Sequence, residues 1–505
     1  MKAKTLVWMA ALAAVALLAV GSAGAAFAQD NNSEDLMAAG CLRNITPVVG
    51  VNHPDPNIWM AGFDNGRAAT GVHDDLWARG LVVKSRGKTV AMVVIDVIGY
   101  FVNEVETIRS LVNPAHGINY IQVSSTHTHE GPDTMGLWGP VEVVAGIDPA
   151  YNDFINQTVA DCINEAAANL VPAKIRFATT TSEGASLPPN EDLVADGKIL
   201  AGDNGQIIDP EVPVMQIVKR DGSGVLVTVV NFASHPESLG SNNTLISSDF
   251  PHYMRTRVEQ EFGGMAIYMS ADLGVLQGPL DVDVLDPLTG LPAQRRTFRF
   301  AEVMGNLLAD RAIKAIRRTH SYDSKPVIEI ATASPIDIRL DNPFFKFFGA
   351  IGVLPRRPLY TNGMVDPGVT LDPIFNAIPQ VTAEDVRTEA HVVRIGDANF
   401  VSTPNELDPQ IGFKYKDLMT KAKHKFITGL SNDEIGYQVP ANKWDDSCHA
   451  CALFIIAGVP QFCPYYPNID CNTVFSNNIG QNHDEVLRPL ISGMITGVNA
   501  NNGTE

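Results

Sequence analysis

The sequence has no run of lysine or arginine, no internal repeat and no low-complexity linker. Beyond its first 28 residues it also has no stretch of the ~20 apolar residues that a membrane-spanning helix needs. Each absence removes a class of protein. Without repeats the chain is not a solenoid. With a formal net charge of −19 and no basic segment to offset it, most of its surface repels nucleic acid and anionic lipid. Cysteine is scarce, six in 505 residues, and four of the six fall between Cys448 and Cys471.

The N-terminal 28 residues are expected to be a signal peptide. Lys2 and Lys4 form a positive n-region, Leu6 to Val20 an apolar h-region, and Ala26-Phe27-Ala28 a small-residue cleavage site. The expected product is secreted or periplasmic in a bacterium, and more acidic still, because cleavage removes two lysines and no acid. An oxidising compartment suits the cysteines. Cys448, Cys451, Cys463 and Cys471 read as two disulfides of undetermined connectivity, with a zinc site at Cys448-His449-Ala450-Cys451 as the rival reading.

A chain of 505 residues exceeds the ~250–300 at which single cores stop growing, so one large catalytic unit with an appendage is expected. The boundaries read as 1–28 signal, 29–40 disordered linker, 41–440 main domain and 441–505 cysteine-containing extension. Apolar runs at 81–83, 90–97, 118–123, 214–218, 225–232, 266–269 and 327–338 predict strands. A further strand over 391–402 bends at Gly396-Asp397-Ala398-Asn399. Helices are read at 105–111, 151–170, 249–262 and 298–318, with an apolar stripe along 151–170. The alternation indicates an α/β fold, a mixed β-sheet sandwich core flanked by helices. Asn342 to Phe375, rich in Pro, Gly and aromatics, reads as a functional loop. Its Phe344, Phe345, Phe347 and Phe348 are suited to line an apolar groove, to touch a membrane interface, or to pack on their own domain.

Chemistry concentrates at strand ends. Ser125-Thr126-His127-Thr128-His129-Glu130-Gly131-Pro132 follows directly on the predicted strand 118–123. Two imidazoles at a rigid strand end suit metal binding and proton transfer, although such a pair alone is as often a polar strand terminus. The pattern recurs at Ala233-Ser234-His235-Pro236-Glu237, at Thr403-Pro404-Asn405-Glu406, and at Leu430-Ser431-Asn432-Asp433-Glu434-Ile435-Gly436-Tyr437. Each of these is weak by itself.

Together they resemble the neutral ceramidase family. The family's HTHxGP segment stands as His127 to Pro132, and its TGxHxxLxAR segment as Thr70 to Arg79. Its NFAxH segment stands as Asn231 to His235, followed by Leu245-Ile246-Ser247-Ser248-Asp249. PGE stands as Pro404-Asn405-Glu406, and LxNxxxxY as Leu430 to Tyr437. The resemblance implies a single-zinc site at strand ends, with Zn2+ held by His127, His235, Glu406 and Tyr437 and with His129 beside it as a catalytic group. It implies an N-acyl amide such as ceramide as the small-molecule or lipid substrate. An esterase or lactonase on the same site is the alternative, and a binding protein that lost turnover is a third reading.

Two departures stand out. Where the family carries a serine in a GDxSPN-like segment, this chain has Ser270-Ala271-Asp272-Leu273-Gly274-Val275-Leu276-Gln277-Gly278-Pro279, with Gln277-Gly278 at the serine's place and Ser270 too early to substitute. Only 68 residues follow Tyr437, and they hold the cysteine cluster, so the family's C-terminal immunoglobulin-like domain is not expected within them.

Overall fold

The structure is a computed structural model that describes residues 35–50, 57–182, 195–196, 207–275, 277–280, 282–469, 471 and 476–500. The signal segment and the start of the expected linker lie outside the described residues.

Eight strands make the first sheet: β1 (Met37–Asn44), β2 (Trp77–Ser85), β3 (Lys88–Ile95), β4 (Tyr120–Ser125), β5 (Val171–Thr181), β6 (Glu211–Lys219), β7 (Val225–Phe232) and β8 (Met265–Ser270), in the order β8-β7-β6-β5-β1-β2-β3-β4. The sheet is mixed. The pairs β7/β8 and β3/β4 are parallel and the rest antiparallel. The second sheet has six strands, its core being β9 (Ile328–Arg339), β10 (Asp385–Ile395), β11 (Ala398–Ser402) and β12 (His424–Thr428).

Alternation along each strand decides which face meets which layer. Leu81, Val83, Met92, Met215, Val229 and Ile267 from the first sheet meet Val393, Ile395, Phe400 and Phe426 from the second, in one buried cluster. The opposite face of the first sheet is covered by α1 (Val102–Leu111) and α2 (Pro149–Ala168) at one end. At the other end α3 (Phe250–Phe262) and α4 (Phe298–Arg317) cover it. The outer face of the second sheet packs on α6 (Pro409–Leu418) and α8 (Asn482–Ala500), with α7 (Ser447–Ile456) between them in the chain. The expected α/β sandwich flanked by helices is therefore the observed architecture. Among the described residues no helix is long and apolar enough to cross a membrane.

The structure corrects three expectations. The linker read over 29–40 gives way at Met37 to β1, which pairs with β2 along its whole length; the segment is short of local periodicity, and pairing rather than propensity orders it. The single bent strand over 391–402 is a hairpin, β10 and β11, because Gly396 takes φ +56° and turns the chain back. The loop read over 342–375 holds a helix, α5 (Pro343–Ala350), whose N-cap Asn342 accepts from the Phe344 N–H and whose first residue is proline.

All six cysteines are paired, which removes the zinc reading of Cys448 and Cys451. The bonds are Cys41–Cys162, Cys448–Cys471 and Cys451–Cys463. Cys41–Cys162 sews β1 to α2 across 121 residues, a loop closure of about 4–5 kcal/mol in chain-entropy terms. Gly80 makes the crossing possible, since a Cβ there would sit 2.8 Å from the Cys41 sulfur. The extension beyond residue 441 is joined to the main body by α8, whose Leu487, Ile491 and Ile495 are fully buried against the second sheet.

Between α1 and β10, Arg109 makes a two-pronged bond to Glu389 (3.0 and 2.5 Å), and His391 approaches the same carboxylate at 3.0 Å. Burial opposes the charge on Glu389, but the hydrogen bonds from His391 and Arg109 outweigh it and hold its carboxyl down to about 2. A depressed folded pKa gives stability that is complete above the unfolded value and lost as pH falls towards 2. Wild type is therefore expected to lose about 3 kcal/mol more than a Glu389→Gln variant between pH 4.5 and 2, read by denaturant titration at a series of pH values.

Candidate functional site

Four separate segments converge at the ends of β4, β7, β11 and β12. Beyond β4 the chain keeps its parallel course beside the continuation of β3: the Thr126 N–H donates to the Ile95 carbonyl and the His127 N–H to Val97. This holds His127 at φ +65°, in the left-handed region rare for non-glycine residues. Its ring Nδ1 lies 2.5 Å from the Ile98 carbonyl. His235 follows β7, with its N–H donating to the Gln277 carbonyl (2.8 Å) and its ring Nδ1 on the same oxygen (2.7 Å). In both histidines Nδ1 is tied to a backbone carbonyl, so Nε2 is the atom presented to the centre. Metal-ligating histidines are oriented in this way.

Glu406 lies where both Nε2 atoms point, its Oε2 at 2.8 Å from His235 and 3.4 Å from His127. Tyr437 is its direct neighbour, because Glu406–Leu407 and Tyr437–Gln438 form a parallel pair with Glu406 opposite Tyr437. Asn432 places that segment: its N–H donates to the Val123 carbonyl and its side chain accepts from the Val123 N–H, so it grips the edge of β4. Asn405 donates to Gln438 and meets His483 of α8, and Gln438 in turn donates to Asp484. Burial keeps His483 neutral, pushed down to about 3. The C-terminal helix thus braces the back of the site, a role that no local motif announced.

His129 completes the cluster. The ligand atoms of His127, His129 and His235 lie within 4.8 Å of one another, and their ring centroids are 4.9 to 5.6 Å apart. Neither ring nitrogen of His129 has a hydrogen-bond partner, though the residue is buried. Burial first, then the neighbouring His127 and His235, push its pKa well below the usual value. Gly62 sets its position, for a Cβ there would overlap the His129 ring.

Burial also opposes the charge on Glu406, but His127 and His235 outweigh it and hold the carboxyl well below the carboxylate range. Burial and the adjacent Glu406 push the Tyr437 phenol well above its usual value; a bound cation would reverse that balance. The residues present fit a divalent metal: two oriented imidazoles point at one carboxylate, a phenol lies next to that carboxylate, and a third imidazole stands unpartnered beside them.

His127, His129, Glu406 and Tyr437 form the floor of a pocket walled by Ile98, Met135, Leu137, Trp138 and Phe345, with His235 buried behind them. Phe345 comes from α5, so the phenylalanine run turns inward. Phe345 and Phe348 pack on Ala61, Ile98, Phe101 and Met135, and Phe344 packs beside Tyr437. Large exposed apolar side chains lie elsewhere, including Met364, Ile374, Phe462 and Tyr466.

The serine-like segment is structural here. The Gln277 side chain donates to the Asp272 and Gly274 carbonyls (2.7 Å each), and its main-chain carbonyl anchors His235. The Ser270 hydroxyl donates to the Thr126 carbonyl and is buried there. The Thr70 to Arg79 and Leu245 to Asp249 segments bond to each other rather than to the pocket: Gly71–Val72 pairs with Leu245–Ile246, and Asp74 accepts from Ser247 and Ser248. Sequence reasoning did not single out Glu434, which also lines the pocket. Burial, then Glu406, push its carboxyl well above the usual range.

Fold and cluster together define an α/β sandwich with a candidate metal centre at its strand ends. Residues 51–275 match the family model described as neutral/alkaline non-lysosomal ceramidase, N-terminal. The fold is similar to that of neutral ceramidase from Pseudomonas aeruginosa, at 16% identity and TM-score 0.67, covering 92% of this chain and 75% of that one. A ceramidase complexed with C2 matches at 15% identity and TM-score 0.65, with the same coverages. No curated protein matches the sequence. The resemblance to the neutral ceramidase family therefore holds, by sequence over residues 51–275 and by fold over most of the chain.

Proposed function

We propose that this protein is a zinc-dependent amidohydrolase that cleaves an N-acyl amide, ceramide or another N-acylated lipid, outside the cytoplasm. The observation that carries the reading is the convergence of His127, Glu406 and Tyr437, with His129 beside them, on the floor of an apolar pocket, backed by His235 on Glu406. The three imidazoles are the tightest grouping, yet His129 is the odd one. Its nearest acid, Glu237, is 3.8 Å from Nδ1, and no carbonyl orients it. We therefore assign His127, His235, Glu406 and Tyr437 to hold zinc and leave His129 for proton transfer. Zinc in such a site supplies a nucleophilic water near neutral pH and a Lewis acid for the scissile carbonyl.

The chain's own residues do the rest. Ile98, Met135, Leu137, Trp138 and Phe345 take the acyl chain and exclude bulk water. His129, neutral because of burial and its imidazole neighbours, accepts the proton of the attacking water and returns it to the leaving amine. The disulfides support export to an oxidising compartment. The test is metal analysis of the purified mature protein, with hydrolysis of N-acyl amides and matched esters. About one zinc per chain and turnover of the amide are expected. Active protein free of metal would overturn the assignment, and turnover confined to esters would leave an esterase on the same site.

A further inference from the structure

The pocket carries a polar group that the proposed cleavage does not use. Glu434 reaches it from the segment that ends in Tyr437. Its Oε1 accepts the Gly436 N–H at 2.8 Å. Its Oε2 is buried and has no hydrogen-bond partner, although the side chain lines the open pocket. A carboxyl oxygen left unpaired in a buried site is costly, so its retention asks for a ligand that pairs with it. The side chain is held rigidly. A Cβ on Gly99 would lie 2.7 Å from the Glu434 Cγ, so the backbone after β3 packs directly on its shaft. Among the described residues the cation near it is Arg357, which is engaged by the neighbouring Asp433.

We propose that Glu434 is the specificity-determining residue of the pocket, its free oxygen hydrogen-bonded to a hydroxyl on the amine half of the substrate. The proposal rests on the amidohydrolase reading and deepens it. Among the described residues no lysine or arginine lines the pocket, so a carboxylate on the amine half would be desolvated there without a partner. N-acyl amino alcohols are then preferred over N-acyl alkylamines, which leave Glu434 unpaired, and over N-acyl amino acids.

The experiment compares kcat and KM of the zinc-loaded protein for an N-acyl ethanolamine and the N-acyl propylamine of the same chain length. Wild type is expected to prefer the ethanolamide at least tenfold in kcat/KM, since a site built to bond a hydroxyl rejects the analogue lacking it. In Glu434→Leu the ratio should collapse towards one through a raised KM for the ethanolamide. Glu434→Gln, which keeps an acceptor oxygen, should retain part of it. Metal content and circular dichroism check that both variants are folded. A wild-type ratio near one, or a preference that survives in Glu434→Leu, overturns the role of Glu434 and leaves the amidohydrolase reading standing. Zinc-loaded wild type that cleaves neither amide overturns both.

Discussion

Replacing His235 by alanine will strip the metal and abolish turnover. Its main-chain N–H and its ring Nδ1 both rest on the Gln277 carbonyl, so Nε2 has a single direction in which to point, 2.8 Å from Glu406. Alanine leaves the turn intact and deletes only the imidazole. The bound metal should fall from about one per chain to near zero, and kcat/KM by more than about a thousandfold, because in the proposed reading both the nucleophile and the polarised carbonyl would depend on the ion. Glu406 would also lose the partner that helps keep its carboxyl ionised. Metal analysis and kinetics on one sample read both effects. Retention of metal and activity would show that the convergence of these residues is architectural.

The largest loss of stability is expected from Arg255→Ala. Arg255 on α3 bonds Asp96 with both terminal nitrogens, at 2.8 and 3.0 Å, and the two side chains are 2% and 0% exposed. Asp96 also accepts from the Trp77 N–H and the Ser248 hydroxyl. Removing the guanidinium leaves a carboxylate in the core, a loss of about 3–5 kcal/mol, whereas replacing both partners by apolar groups of similar size would be far milder. The consequence reaches the site. Asp96 is followed by Val97 and Ile98, whose carbonyls hold the main chain and ring of His127. Denaturant titration should therefore show the loss, and zinc affinity should fall with it. A midpoint within ~0.5 kcal/mol of wild type, the range of ordinary surface substitutions, would refute the argument.

Much of the scaffold was legible because it is local. β3, β6, β7 and β8 announce themselves by short apolar runs, and α2 and α4 by a periodic apolar stripe. What failed was non-local. β1 carries no signal beyond its pairing with β2. The hairpin of β10 and β11 reads as one bent strand until the partner register is known. α5 hides in a segment whose proline and glycine content suggests a loop, although an Asn-Pro start is a helix signal. α8 is periodic, yet its place behind Asn405 and Gln438 depends on a sheet formed almost a hundred residues earlier.

The site divides in the same way. His127, His129, His235, Glu406 and Tyr437 were visible in the sequence because each follows an apolar strand in a recognisable motif, and strand ends are where an α/β fold exposes side chains. Glu434 was not, since one carboxylate among 56 acidic residues has no local mark. The residue types and their order along the chain determined which chemistry is available. Tertiary structure alone decided which nitrogen each histidine presents, that Gln277 anchors rather than reacts, and that Glu434 faces the pocket with an oxygen unpaired. Those properties depend on carbonyls and backbone contacts brought together from distant segments, and no spacing within one segment encodes them.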